Sequence, residues 1–183
     1  MKIKFYKYQG TGNDFIIVDN RDMTFNKNNI ELVQGLCSRK FGIGSDGLIL
    51  IEHHHEWDFN MVFFNPDGSQ SFCGNGSRCA VAFAREQGIV CDFAKFNSTD
   101  GYHEAIVESN GVIKLKMHNV CDIEVGESHH YMDTGSPHYN CFEKNIDAID
   151  VVAKGREIRN NKRFKEIGTN VNFIEHFSNR IKV

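Results

Sequence analysis

Tyr8-Gln9-Gly10-Thr11-Gly12-Asn13 and Tyr131-Met132-Asp133-Thr134-Gly135-Ser136 are two versions of one phrase, Tyr-x-x-Thr-Gly-Asn/Ser, set 123 residues apart. A second pair, Ile43-Gly44-Ser45-Asp46 and Ile167-Gly168-Thr169-Asn170, recurs at an offset of 124, and Arg39 and Arg163 fall on that same offset. A shared offset with the order kept is the mark of an internal duplication. The expected organisation is therefore two copies, residues 1–117 and residues 118–183. The offset carries Cys73 to about position 197, past Val183, so the second copy is expected to be incomplete and to stop before its own version of the Cys73 segment.

Around these phrases the chain reads as short strands with few helices. Met1 to Tyr6 alternates like a strand, and Phe15 to Val18 is an apolar run of a buried one. Asn28 to Lys40 reads as a helix capped by Asn28 or Asn29. Leu48 to Ile51 and Phe59 to Phe64 read as strands, followed by the turn Asn65-Pro66-Asp67-Gly68. Cys79 to Gln87 reads as a small-residue helix stopped by Gly88, and a hairpin is expected across Asn110-Gly111, between Ala105–Glu108 and Val112–Met117. This mixture predicts an α+β fold rather than a wound parallel sheet.

Composition excludes several function classes. Net charge is −3, with 25% charged and 40% hydrophobic residues, so no basic field points to nucleic acid or an anionic membrane. No apolar run approaches the roughly 20 residues of a membrane helix, and the N-terminus has no signal core, so a soluble, cytoplasmic protein is expected. Six cysteines without a Cys-x-x-Cys pair read as thiols, with no structural zinc. The runs His53-His54-His55 and His129-His130 read as exposed, because neighbours on a strand point to opposite faces and chelate poorly. Arg156 to Lys165 reads as an exposed helix or loop.

Cys73 is the centre of the chemistry. It stands before a helix start, in Cys73-Gly74-Asn75-Gly76-Ser77-Arg78, where glycines leave backbone N–H groups uncovered. Such a setting favours a substrate carboxylate or a thiolate, and a lowered thiol pKa is expected. A phosphatase loop needs five residues between Cys and Arg, and here there are four. A Cys-His hydrolase would need His103 or His138 as base, and nothing in the sequence places either beside Cys73. Gly42-Ile43-Gly44-Ser45-Asp46-Gly47 contains Gly-x-Gly-x-x-Gly, but it follows a helix and opens a strand, the reverse of a dinucleotide site. Asn13, Asn65, Asn75 and Asn170 all lie at turns or strand ends; such amides suit an amino-acid zwitterion as well as local turn bonding.

These segments together resemble the diaminopimelate epimerase family. The likeness runs through Phe5 to Phe15, Gly42 to Gly47, Phe64 to Ser69, Cys73 to Cys79, Thr134 to His138 and Gly168 to Phe173, in family order. The resemblance implies a diaminopimelate epimerase-like fold of two pseudo-symmetric α/β halves around a cleft. It implies interconversion of the LL and meso forms of 2,6-diaminopimelate, on the route to lysine and peptidoglycan, with no cofactor and no metal. One cysteine removes the α-proton and a second protonates the other face. By resemblance Cys73 is one of these, Asn13, Asn65, Gly74, Asn75 and Asn170 bind substrate, and His138 supports the reacting centre. Ser136 replaces an asparagine, and Gly47 stands where some members carry glutamine. The family's Glu-Arg-Gly turn and second Cys-Gly-Thr-Gly motif do not occur in these 183 residues. The family often forms homodimers. A non-catalytic amino-acid-binding relative, or a proline racemase-type isomerase, remains as an alternative.

Overall fold

The computed structural model describes residues 2–183, and the chain divides into two compact units, Met1–Met117 and His118–Val183. In the first unit seven strands form one sheet in sequence order: β1 (Tyr6–Gly10), β2 (Asn13–Asp19), β3 (Gly47–Glu52), β4 (Phe59–Phe64), β5 (Phe93–Ser98), β6 (Gly101–Val107) and β7 (Ile113–Leu115). Helix α1 (Ile30–Cys37) connects β2 to β3, and α2 (Gly74–Glu86) connects β4 to β5; both strand pairs are parallel and the rest antiparallel. The hairpin across Asn110-Gly111 joins β6 to β7 as the sequence predicts.

β2, β3 and β4 are apolar without alternation because both of their faces are covered. Phe15, Ile17, Ile49, Ile51, Met61 and Phe63 pack on the α2 side. Ile16, Val18, Leu48, Leu50, Val62 and Phe64 pack on the α1 side, with Val33 and Cys37. α2 touches β1, β2, β3, β4, β6 and β7, and buries Gly76, Ser77, Cys79, Ala80, Val81, Phe83 and Ala84. One polar cluster is enclosed with this core. Fully buried Asn20 donates to Glu52 Oε1 at 2.9 Å and accepts the Phe25 N–H at 2.7 Å, while Lys27 holds the other Glu52 oxygen at 2.8 Å.

The second unit repeats the first in outline. β9 (His129–Asp133) pairs antiparallel with β10 (Pro137–Phe142), then α3 (Val151–Arg159) leads to β11 (Asn170–Phe177), parallel to β10. β8 (Ile123–Val125) and β12 (Arg180–Lys182) are the two edges. The pairing follows the repeat to within one residue: Phe15 lies beside Gly47, while its counterpart His138 lies beside Asn170, the counterpart of Asp46. The second core is small, built on Cys141, Ile146 and Phe173, and α3 buries no residue.

Four local expectations are corrected. The first strand begins at Tyr6, not in residues 2–5, and Met1 lies outside the described residues. α1 ends at Cys37, not Lys40, because the Gly44 and Ser45 N–H groups bond back to the carbonyls of Leu36 and Cys37 and close the helix. α2 begins at Gly74, five residues ahead of Cys79, since burial outweighs the poor helix propensity of its glycines. His129 and His130 are half-buried on β9, stacking on Tyr139 and edge-on to Phe142, rather than exposed.

Candidate active site

Cys73 is the N-cap of α2, in extended backbone at φ −138° and ψ 108°. Its Sγ accepts the Gly76 N–H at 3.3 Å, taking one of the four donors that a helix start leaves unpaired. Gly74 and Asn75 present the neighbouring N–H groups of that first turn. The end of β1 runs alongside, so that Gly10 lies against the Asn75 carbonyl and the Cys79 sulfur. The thiol is not lowered as the sequence suggests. Burial pushes the Cys73 pKa up, against the Gly76 and Asn75 N–H groups and the Arg78 charge, which pull it down; Asp46 adds to the rise.

One side-chain amide, that of Asn13, faces this sulfur, and that of Asn75 stands next to it. Asn13 Oδ1 lies 3.9 Å from Cys73 Sγ and 3.5 Å from Asn75 Nδ2. Asn13 Nδ2 donates to Asp46 Oδ2 at 3.0 Å, and Asn75 Oδ1 accepts from Arg78 Nη2. The structure thus brings Asn13, Cys73, Gly74 and Asn75 together. Asn65 stands in the turn after β4, and its amide donates to Ser69 Oγ at 3.0 Å and Ser71 Oγ at 3.1 Å, not to Cys73. His103, one candidate base of the hydrolase reading, stacks on Phe72 and Phe96 and is engaged by Asp100 at 2.8 Å and the Lys116 carbonyl at 3.4 Å.

The glycine-rich loop before β3 is a helix closure. A Cβ on Gly42 would stand 1.9 Å from the Gly35 carbonyl, and Gly44 has φ +80° close against Arg39. The glycines let the loop fold onto the end of α1 and deliver Asp46, whose N–H bonds the Asp14 carbonyl at 2.9 Å.

In the second unit His138 and Asn170 are register partners. Asn170 Nδ2 donates to the Pro137 carbonyl at 3.2 Å and approaches Ser136 Oγ at 3.5 Å. Asn172 Nδ2 lies 3.0 Å from His138 Nδ1 and donates to Asn140 Oδ1 at 2.9 Å, and His138 Nε2 lies 3.4 Å from Ser136 Oγ. Burial lowers the His138 pKa, opposed by Asp133. Asn172 was missed by sequence reasoning. Its signal was the strand period, which sets residues 170 and 172 on one face. Arg78 as the residue that orients Asn75 left no such signal.

Residues 5–121 match the sequence family described as diaminopimelate epimerase. A diaminopimelate epimerase of Flavobacterium psychrophilum is 46% identical over 177 residues, covering 96% of this chain and 69% of that protein. The enzyme of the same name from Chlorobaculum tepidum is 42% identical, covering 91% of this chain and 67% of its own. Among solved structures, a PhzF-family phenazine biosynthesis protein of Bacillus anthracis superposes with a TM-score of 0.69 at 17% identity, covering 98% of this chain and 69% of that one. A probable proline racemase of Agrobacterium radiobacter gives 0.70 at 15% identity, with 98% and 69% covered. These two show the fold alone, and it is the α+β fold predicted from the sequence. Among the described residues no helix is long and apolar enough to cross a membrane. With a matched family segment holding Cys73 and a 46% identical relative spanning nearly its whole length, the chain belongs to the diaminopimelate epimerase family of isomerases.

Proposed function

We propose that this chain serves the interconversion of LL- and meso-2,6-diaminopimelate, with Cys73 exchanging the α-proton on one face and a second group, outside the motifs of these 183 residues, serving the other. The observation that carries the reading is the half-buried Cys73 sulfur at the N-terminus of α2, beside N–H groups of Gly74 and Asn75 and the amide of Asn13. An α-C–H is a very weak acid, so its removal needs a positioned base and a field that stabilises the charge passing to the carboxylate. Uncovered N–H groups and the helix dipole supply that field, and burial excludes competing water. In this reading Asn13, Asn65, Gly74, Asn75 and Asn170 bind the amino-acid groups of the substrate. His138, with burial lowering its pKa, supports the reacting centre.

The same reading puts the protein in the cytoplasm, as a homodimer, feeding lysine and peptidoglycan synthesis. The test is α-proton exchange in deuterium oxide, followed by NMR with meso- or LL-diaminopimelate and with proline as control. Exchange of diaminopimelate alone, lost in Cys73→Ser, is the expected result. Exchange undiminished in Cys73→Ser, or absent from the unsubstituted chain, would overturn the assignment. Light scattering checks the dimer.

A further inference from the structure

Arg39, Asp46 and Asn13 form one line of contacts that ends at the Cys73 sulfur. Arg39 Nη2 donates to Asp46 Oδ1 at 2.7 Å and to Asp14 Oδ1 at 2.6 Å. Asp46 Oδ2 accepts from Asn13 Nδ2 at 3.0 Å and from the Asp14 N–H at 3.2 Å. An ionised carboxylate only accepts. The Asn13 amide therefore cannot turn round: its NH2 is held on Asp46, and its oxygen is left facing Cys73 Sγ at 3.9 Å and Asn75 Nδ2 at 3.5 Å. The neighbouring amide is fixed with the opposite polarity. Arg78 only donates, so it takes Asn75 Oδ1 and turns the Asn75 NH2 toward Asn13.

We propose that Asp46, braced by Arg39, is a positioning residue for proton transfer: through Asn13 it sets a carbonyl oxygen, not an amide N–H, against the Cys73 sulfur. This rests on the reading of Cys73 as the proton-transfer group. The oxygen accepts the S–H bond and aims that hydrogen, and it offers nothing to a thiolate. A flipped amide would do the reverse and hold the thiolate in a hydrogen bond, weakening it as a base. The charged and titratable groups around Cys73 are Arg78 and Cys79 on α2 and Asp46 on the loop, with Asp14, Lys7 and Arg39 behind Asp46. Neutralising Asp46 removes a negative charge and frees the amide, while Arg39 keeps its pair with Asp14. Both changes favour the thiolate, so the sign of the effect is fixed.

The experiment is the pH dependence of iodoacetamide alkylation, read by mass spectrometry on the tryptic peptide 41–78, in which Cys73 is the single cysteine. Asp46→Asn is expected to move the midpoint down by about half a pH unit or more. In the same variant α-proton exchange slows about tenfold or more, mainly in kcat. Asp46→Glu should restore most of both. Asn13→Ala gives an independent route: it removes the oxygen, keeps the Arg39–Asp46 pair and should also lower the midpoint. Adding Asp46→Asn to Asn13→Ala should then shift it less than in the intact chain. A midpoint unmoved in Asp46→Asn or in Asn13→Ala, with only a lower Tm, overturns the proposal and leaves Asp46 a brace for its loop. The reading of Cys73 fails separately, through exchange that survives Cys73→Ser, because alkylation reports the sulfur whether or not it turns over substrate.

Discussion

The Cys73 sulfur accepts the Gly76 N–H and sits half-buried in protein, and these two circumstances pull its proton affinity in opposite directions, with burial the larger. Alkylation of Cys73 should therefore reach half its maximum rate above the ordinary thiol value of about 8.5. A midpoint below that value would show the helix terminus prevailing over desolvation. His138 is displaced the other way for the same reason, and its NMR titration should have a midpoint below the usual histidine value of about 6.5. Away from this chemistry, buried Asn20 ties two polar groups of the core. Asn20→Ala strands the buried Phe25 N–H and one oxygen of Glu52, and each orphan costs about 1–3 kcal/mol, measurable by urea unfolding.

At the scale of elements, the junction of the glycine-rich loop with β3 leaves no room for a side chain. A Cβ on Gly47 would stand 2.3 Å from the Phe63 ring and 2.8 Å from the Phe64 carbonyl. Gly47→Ala should cost about 1–3 kcal/mol in chemical denaturation, and Phe63→Leu added to it should recover part of the loss. A glutamine at this position, as the resemblance offers, does not fit beside Phe63 as it lies here. The sequence made much of this layer legible. The apolar runs of β2, β3 and β4 and the Asn110-Gly111 hairpin were plain because the runs are short and rich in β-branched or aromatic residues and the dipeptide favours a tight turn. The first turn of α2 was legible only from the Cys73 motif, since Gly74-Asn75-Gly76 has the composition of a loop and becomes helical through burial against Ile49 and Met61. At the site, Cys73, Asn13 and Asn75 were legible from their turns. The ions that orient those amides, Asp46 and Arg78, depend on contacts between distant segments that no local pattern encodes.

For the whole chain the two units differ in depth of core. The first encloses both faces of its central strands, while the second buries a handful of residues and none on α3. Amide hydrogens in β10, β11 and α3 should exchange well before those in β2, β3 and β4. Both units should lose stability in acid. Asp14 is held below the usual carboxylate range chiefly by Arg39, and Glu124 in the second unit is held down to about 2 by Arg163 and His129. A depressed folded-state pKa contributes stability that is complete above the unfolded value of about 4 and disappears as pH falls through the folded one. Asp14→Asn and Glu124→Gln should each flatten the acid limb of a stability profile below about pH 4 and leave its slope near neutrality unchanged. Finally, α2 is gripped by six strands of a single sheet. A rod clasped on that many sides cannot swing, so the sulfur at its tip is a stationary reference point. Any ligand arriving there is positioned against a sulfur whose place the sheet sets.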